Sequence, residues 1–411
     1  ATYNGDNNFN TSVSSNLSQT VGQVSTIINA VSSPNPSALG QVVTIAIEVN
    51  AINSGIVIPN GVVTATYGST VIGTGSLDPN GQISFLTSTL PAGTLPITIT
   101  YAGNSNFSPS STIVTQTVTE AASAVALSSS LNPSHVGETI TLTATVTSTV
   151  TGVPSGTVSF FDGNTLIGTQ TLNGGGIATL SIANLTLGTH NLTAIYNGNA
   201  SLASSVSSVL VQNVVQATTT TSIVSSVNPS SFNQATTFTA TVAVGAGSGI
   251  PTGTVTFFDG TTALATRPLS GNVATFTTFS LTVGSHAIRA VYNGDTNFAT
   301  SASTILTQVV NQTGTTTTLT SSLNPSTFEQ NITLNASVVA NAGTGIPTGT
   351  VTFRDGTTVI GTSNIVNGQA SLTINTLSVG THALTATYNS DGNFAASTSN
   401  TVSEVVNAAS T

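Results

Sequence analysis

Apolar and hydroxyl-bearing residues alternate through most of this chain. Val43, Ile45, Ile47 and Val49 are separated by single residues, as are Ile140, Leu142, Ala144 and Val146, then Phe238, Ala240 and Val242, then Ile332, Leu334, Ala336 and Val338; threonine is the commonest residue between them. Successive side chains of a strand point to opposite faces, so a period of two marks half-buried strands. A second set places His286, Ile288, Ala290 and Tyr292 on one face, with Ala287, Arg289 and Val291 on the other, and repeats as His382, Leu384, Ala386 and Tyr388. A third comprises Ile83/Phe85, Ala178/Leu180/Ile182, Ala274/Phe276 and Ala370/Leu372/Ile374. No convincing helical period occurs.

The strand patterns recur at a fixed step. Tyr3, Tyr101, Tyr196, Tyr292 and Tyr388 are 98, 95, 96 and 96 residues apart. Asn35-Pro36, Asn132-Pro133, Asn228-Pro229 and Asn324-Pro325 keep the same step, as does Pro-x-Gly-Thr-Val followed by Phe-x-Asp-Gly at 154–163, 251–260 and 347–356. Solenoid units run roughly 20–45 residues and a self-contained sandwich about 100, so each unit reads as a domain. About seven short strands per unit predict an all-β chain, a tandem array of four immunoglobulin-like Greek-key β-sandwich domains. The expected boundaries are 25–117, 118–213, 214–310 and 311–411, preceded by residues 1–24, a partial repeat holding only the final strands. Asp162-Gly163, Asp259-Gly260 and Asp355-Gly356 suit type I′ hairpins, whose two central residues both need positive φ. The first unit has Tyr67-Gly68 there, which weakens the hairpin expectation for it. Gly93, Gly188, Gly284 and Gly380 mark the turn before the tyrosine strand.

Pro251-Thr-Gly-Thr-Val-Thr-Phe-Phe-Asp-Gly260 and Val283-Gly-Ser-His-Ala-Ile-Arg-Ala-Val-Tyr-Asn-Gly-Asp-Thr-Asn-Phe298 resemble the bacterial immunoglobulin-like repeat family, group 3. The resemblance recurs in register over nearly the whole chain. It implies tandem modules of a large secreted or surface-attached prokaryotic protein, acting as spacers or adhesin stalks, and it specifies no ligand.

Composition narrows the chemistry. Only 4% of residues are charged, against roughly 25% in ordinary globular chains. Three arginines, Arg267, Arg289 and Arg354, and no lysine stand in a chain of net charge −9, so no basic stripe exists for nucleic acid. No apolar run approaches the ~18 residues of a membrane span. Without cysteine there is no disulfide or thiolate metal site. Without lysine there is no Lys–Asn isopeptide staple.

Several polar residues invite a chemical reading. His190, His286 and His382 hold one position in three units, but zinc needs three or four convergent ligands, and Leu95 fills the slot in the first unit. The slot therefore reads as a core edge. His135 reads as solitary and solvated beside a turn. Asp6, Asp295 and Asp391 suggest calcium, yet each loop offers one carboxylate where calcium takes six to eight oxygens, and turn formation accounts for them. Every Ser/His/Asp set drawn from this chain repeats or sits in a turn. No catalytic, cofactor-binding or metal-ligating residue is assigned, no cofactor is expected, and the chain reads as no enzyme. Asn-x-Ser/Thr sequons at Asn10, Asn16, Asn106, Asn184, Asn191, Asn199, Asn311, Asn331 and Asn335 raise glycan modification as a hypothesis.

The junctions around 214–221 and 309–318 carry Gln and Thr rather than a Pro/Gly-rich linker, which predicts modules held end to end as a rod over 100 Å long, from about eight residues per strand at ~3.3 Å each. The expected function is that of a structural, rod-like stalk or filament body, extracellular or on the cell surface. Its partners would be further copies, or a longer surface protein to which it is attached. Residues 1–24 fit either a longer array or docking on a neighbour by strand addition. The competing expectation is an adhesin region that binds glycan or protein through loops at the sandwich ends.

Overall fold

A computed structural model of the protein describes residues 1–52 and 57–410, and these contain strands and no helix. Residues 1–130, 141–181 and 190–212 form one compact unit, and residues 131–140, 182–189 and 213–411 form another.

The third repeat shows the common plan. Thr219–Ser225, Thr236–Val244 and Val273–Thr278 make an antiparallel three-stranded sheet. The second sheet runs Ser230–Ser231, Leu306–Asn311, Gly284–Tyr292, Thr254–Asp259 and Thr262–Pro268, with Ser301–Ala302 also pairing Gly284–Tyr292. Every pairing between these strands is antiparallel except that of Ser230–Ser231 with Leu306–Asn311. The two sheets face each other because alternation gives each strand one apolar side. Phe238, Ala240 and Val242 thus meet Val255, Phe257, Ile288, Ala290 and Tyr292, all fully buried. The same positions build the first core from Ile45, Ile47, Val63, Ala65, Ile97, Ile99 and Tyr101. In the fourth they are Leu334, Ala336, Val351, Phe353, Leu384, Ala386 and Tyr388. Phe232 packs against both the third and fourth cores, its ring edge-on to Phe394 at 5.7 Å.

The hairpin expectation needs correction. Asp259 is the last residue of its strand, paired with Thr262, so the turn residues are Gly260 and Thr261. Of these only Gly260 has positive φ, at 56°. That is the pattern of a type II′ turn, with glycine first, and not of type I′. Gly163 and Gly356 repeat it, and so does Gly68, because Tyr67 pairs with Thr70. The first repeat therefore keeps its hairpin: glycine makes the turn, and the aspartate is free for another role.

The first repeat differs in its last strand. Sixteen positions separate Tyr196 from Gln212 and Tyr292 from Gln308, but only 15 separate Tyr101 from Gln116. With that residue missing, Ser110–Thr119 runs unbroken beside Gly93–Tyr101. In the third repeat the extra residue breaks the strand as a bulge does, and the Ser303 hydroxyl stands in for the lost ladder contact by accepting the Ala290 N–H at 3.0 Å. Ser207 and Ser399 do the same for Ala194 and Ala386.

In residues 1–24 the short strands Thr2–Tyr3 and Ser12–Val13 pair with each other. Phe9 and Leu17 are 68% and 90% exposed, whereas Phe298, the counterpart of Phe9, is 4% exposed.

Candidate functional site

One set of contacts recurs in every repeat and joins residues about 80 positions apart, where a repeat's first segment meets its last strand. Asn228, which precedes a cis proline, donates through Nδ2 to the Thr307 carbonyl (2.8 Å) and accepts the Val309 N–H on Oδ1 (3.0 Å). One side-chain amide thereby acts as an extra rung of the ladder. Asn35 makes the same pair with Thr115 and Thr117 at 2.7 and 2.9 Å, and Asn324 with Ser403 and Val405 at 2.6 and 3.0 Å. In the second repeat Asn132 accepts the Asn213 N–H at 3.0 Å.

A buried Gln or Glu side chain backs each clasp. Gln308 Nε2 donates to Val227 O, Ser230 Oγ and Val309 O at 3.0–3.2 Å. Gln116 does likewise to Pro34 O, Ser37 Oγ and Thr117 O at 2.9–3.1 Å. The fourth repeat carries Glu404 here, fully buried; Oε1 accepts the Ser326 hydroxyl (3.0 Å), and Oε2 has no partner. Farther along, Thr219 donates to Ala299 O (2.8 Å) and contacts Ser301 Oγ (2.7 Å), a tie repeated by Thr26, Ser123 and Thr315. Parallel bridges of Ser230 with Val310 and of Ala217 with Phe298 complete the clasp.

The repeated histidines lie beside it, at the core rim. Their Nδ1 atoms face carboxylates: His190 to Asp162 at 2.6 Å, His286 to Asp259 at 2.7 Å and His382 to Asp355 at 2.6 Å, the imidazoles 11–12% exposed. These are the aspartates that do not make the turns. Nε2 of His286 faces Thr282 O at 2.8 Å and that of His382 faces Ser378 O at 2.8 Å. Burial works against charge on both rings, yet these carbonyls and the carboxylates outweigh it and raise both pKa values above the ordinary one. His286 stands opposite Gln308, and His382 opposite Glu404. His135, expected to be solitary, contacts Glu138 Oε2 at 3.1 Å through Nδ1.

Asp295 and Asp391 are tied into their loops. Asp295 Oδ1 accepts the Asn297 and Phe298 N–H groups at 2.8 Å, and Oδ2 accepts the Thr252 N–H and hydroxyl at 2.8 and 2.5 Å. Asp391 repeats this with Asn393, Phe394 and Thr348. Burial opposes ionisation, and these donors overcome it, lowering both pKa values. Asp6 accepts from Asn8 N–H, Phe9 N–H and the Tyr3 hydroxyl, which lowers its pKa also. Asn104 and Asn199 hold the same loop in the first two repeats, but their Nδ2 atoms donate to Asn60 O and Ser155 O, at 2.8 and 3.0 Å. The carbonyls they hold also accept the Tyr101 and Tyr196 hydroxyls at 2.6 and 2.7 Å. Where aspartate replaces asparagine, the Tyr292 and Tyr388 hydroxyls are buried without a partner; burial first, then the nearby carboxylate, pushes each pKa up to about 12.

Among the described residues no group of three His, Cys, Asp or Glu side chains is placed to hold a metal. Among them no helix is long and apolar enough to cross a membrane. The repeated histidines, Asp295, Asp391 and the clasp asparagines tie segments of one sandwich together.

The model of the bacterial Ig-like domain, group 3, matches residues 30–119, 127–215, 223–311 and 319–407. The chain belongs to this family. Four tandem copies support a repeat protein of structural or adhesin-like kind, and such domains are typical of surface or extracellular proteins. No curated protein matches it. Solved structures of similar fold include FdeC, an Escherichia coli adhesin, at 17% identity and TM-score 0.25, covering 70% of this chain and 97% of that one. Three N-terminal domains of the bacteriophage RB49 Highly Immunogenic Outer Capsid protein match at 16% and 0.26, covering 69% and 99%. The fibronectin(III)-like modules of Clostridium thermocellum CbhA match at 20% and 0.22, covering 46% and 94%. These likenesses concern fold alone.

Sequence reasoning found the Asn-Pro landmarks and missed their role. Their recurrence, and that of Gln116, Gln212 and Gln308 at the same step, was the available signal.

Proposed function

We propose that this chain is a non-catalytic spacer of an extracellular or surface-attached protein, a stalk or filament body whose modules resist tension. The observation that carries this reading is the clasp. The chain enters a sandwich at its first segment and leaves by its last strand, and the clasp binds those two segments in parallel. Tension slides parallel segments past each other and loads all their bonds together, whereas peeling would load them singly. Forced unfolding is governed by the unfolding rate, and bonds that share the load must break together, so the rupture force is higher. A surface of hydroxyls and amides with 4% charged residues suits a spacer, since it draws no counter-charged partner.

The test has two arms. Stretched by its ends, the chain holds until repeats yield one at a time; on glycan and protein arrays it gives no saturable signal. Repeats that extend without measurable resistance, or a saturable signal lost on substituting loops at the sandwich ends, would replace the spacer with the adhesin.

A further inference from the structure

The imidazoles of the third and fourth repeats each sit between two groups that only accept hydrogen bonds. Asp259 offers Oδ2 to His286 Nδ1 while its Oδ1 accepts the Ala287 N–H at 3.1 Å, and the Thr282 carbonyl faces Nε2 from the other side. Asp355 and Ser378 O flank His382 in the same way. A neutral imidazole carries one N–H and one lone pair, so it satisfies one such neighbour and turns a lone pair on the other. Only the imidazolium donates to both.

We propose that these two clamps are acid-tightened locks: the protonated ring ties the end of the Thr254–Asp259 or Thr350–Asp355 strand to the loop at Thr282 or Ser378, and loss of the proton lets one end go. The groups facing His286 are Asp259, the Thr282 carbonyl and, across the sheet on Leu306–Asn311, the neutral Gln308. Those facing His382 are Asp355, the Ser378 carbonyl and Glu404 on Val402–Asn407, a second acid that the third repeat lacks. The raised pKa of both rings, despite partial burial, agrees with the geometry. A group whose pKa is raised by folding contributes its full stability below its unfolded value of about 6.5 and loses it as pH climbs through the folded value. The third and fourth repeats are therefore firmer in mildly acidic surroundings and soften as the medium turns alkaline. The first repeat is the internal control, with Leu95 for the histidine and Tyr67 for the aspartate.

The chain has only four histidines, so ring-proton NMR titration of the full chain resolves each, with His→Leu variants for assignment. The His286 and His382 midpoints are expected above about 6.5. Hydrogen-exchange mass spectrometry, corrected for intrinsic rates, should show severalfold faster opening of Gly284–Tyr292 and Gly380–Tyr388 at about pH 8.5 than at about pH 5, with Gly93–Tyr101 unchanged. In the H286L/D259Y chain, which copies the first repeat, the third repeat should lose that dependence and the fourth keep it. Midpoints at or below 6.5, or equal corrected opening rates at both pH values in the unmodified chain, would overturn the proposal even if the double variant failed to fold.

Discussion

The first and third repeats solve the same structural problem with different chemistry. Both close a two-sheet core around a buried tyrosine, and both fasten the first segment to the last strand with an asparagine and a glutamine. At the rim the first uses Leu95 beside a hairpin ending in Tyr67, while the third uses the His286–Asp259 pair. In the loop after the tyrosine, Asn104 donates to a carbonyl where Asp295 accepts from an N–H. What stays constant bears the fold; what varies sets its response to pH.

The largest effect should come from breaking the shared feature. Asn228→Ala removes two hydrogen bonds at the exposed edge of the last strand and should cost its repeat about 2 kcal/mol, at roughly 1 kcal/mol per bond, and Asn35→Ala should cost the first repeat the same, in repeat-resolved denaturant unfolding. A smaller effect of opposite sign is expected at the odd member of the set. Glu404→Gln restores the buried amide donor that Gln116 and Gln308 direct at two carbonyls and a serine hydroxyl, and should stabilise the fourth repeat by about 1–2 kcal/mol.

Smaller still is the rim. His286→Leu alone should cost about 1 kcal/mol at mildly acidic pH, and adding Asp259→Tyr should return most of it; a double-mutant cycle without coupling would separate the two residues. The acid limb tests the loops. Asp295 and Asp391 have lowered pKa values, so they add stability above the unfolded value of about 3.9 that disappears as pH falls through the folded value. Acid below about pH 4 should therefore loosen the third and fourth repeats before the first, where Asn104 does not titrate, and Asp295→Asn should flatten that limb in the third repeat.

The period, the strands and the family were readable from the sequence because alternation and spacing are local and repeated. Asn228 was visible as a landmark, but its function depends on Thr307 and Val309, about 80 residues on, which no local pattern connects. The rim slot was inferred from the substitution of Leu95 for histidine. Its acid partner went unrecognised because Asp259 had been assigned to the turn that Gly260 makes. Tyr67 and Leu95 depart from the pattern together, which is the trace a contacting pair leaves in an internal repeat.

Resistance to tension depends on the direction in which a sandwich is loaded. Single-molecule pulling of one chain in two geometries tests this most directly: through residues flanking the third repeat, which shears the clasp, and between Gln216 and the hairpin at Thr261, which does not load its two segments against each other. A clearly higher rupture force is expected in the first geometry, reduced by Asn228→Ala, with little change from that substitution in the second. Equal forces in the two geometries, or a first-geometry force indifferent to Asn228, would contradict it.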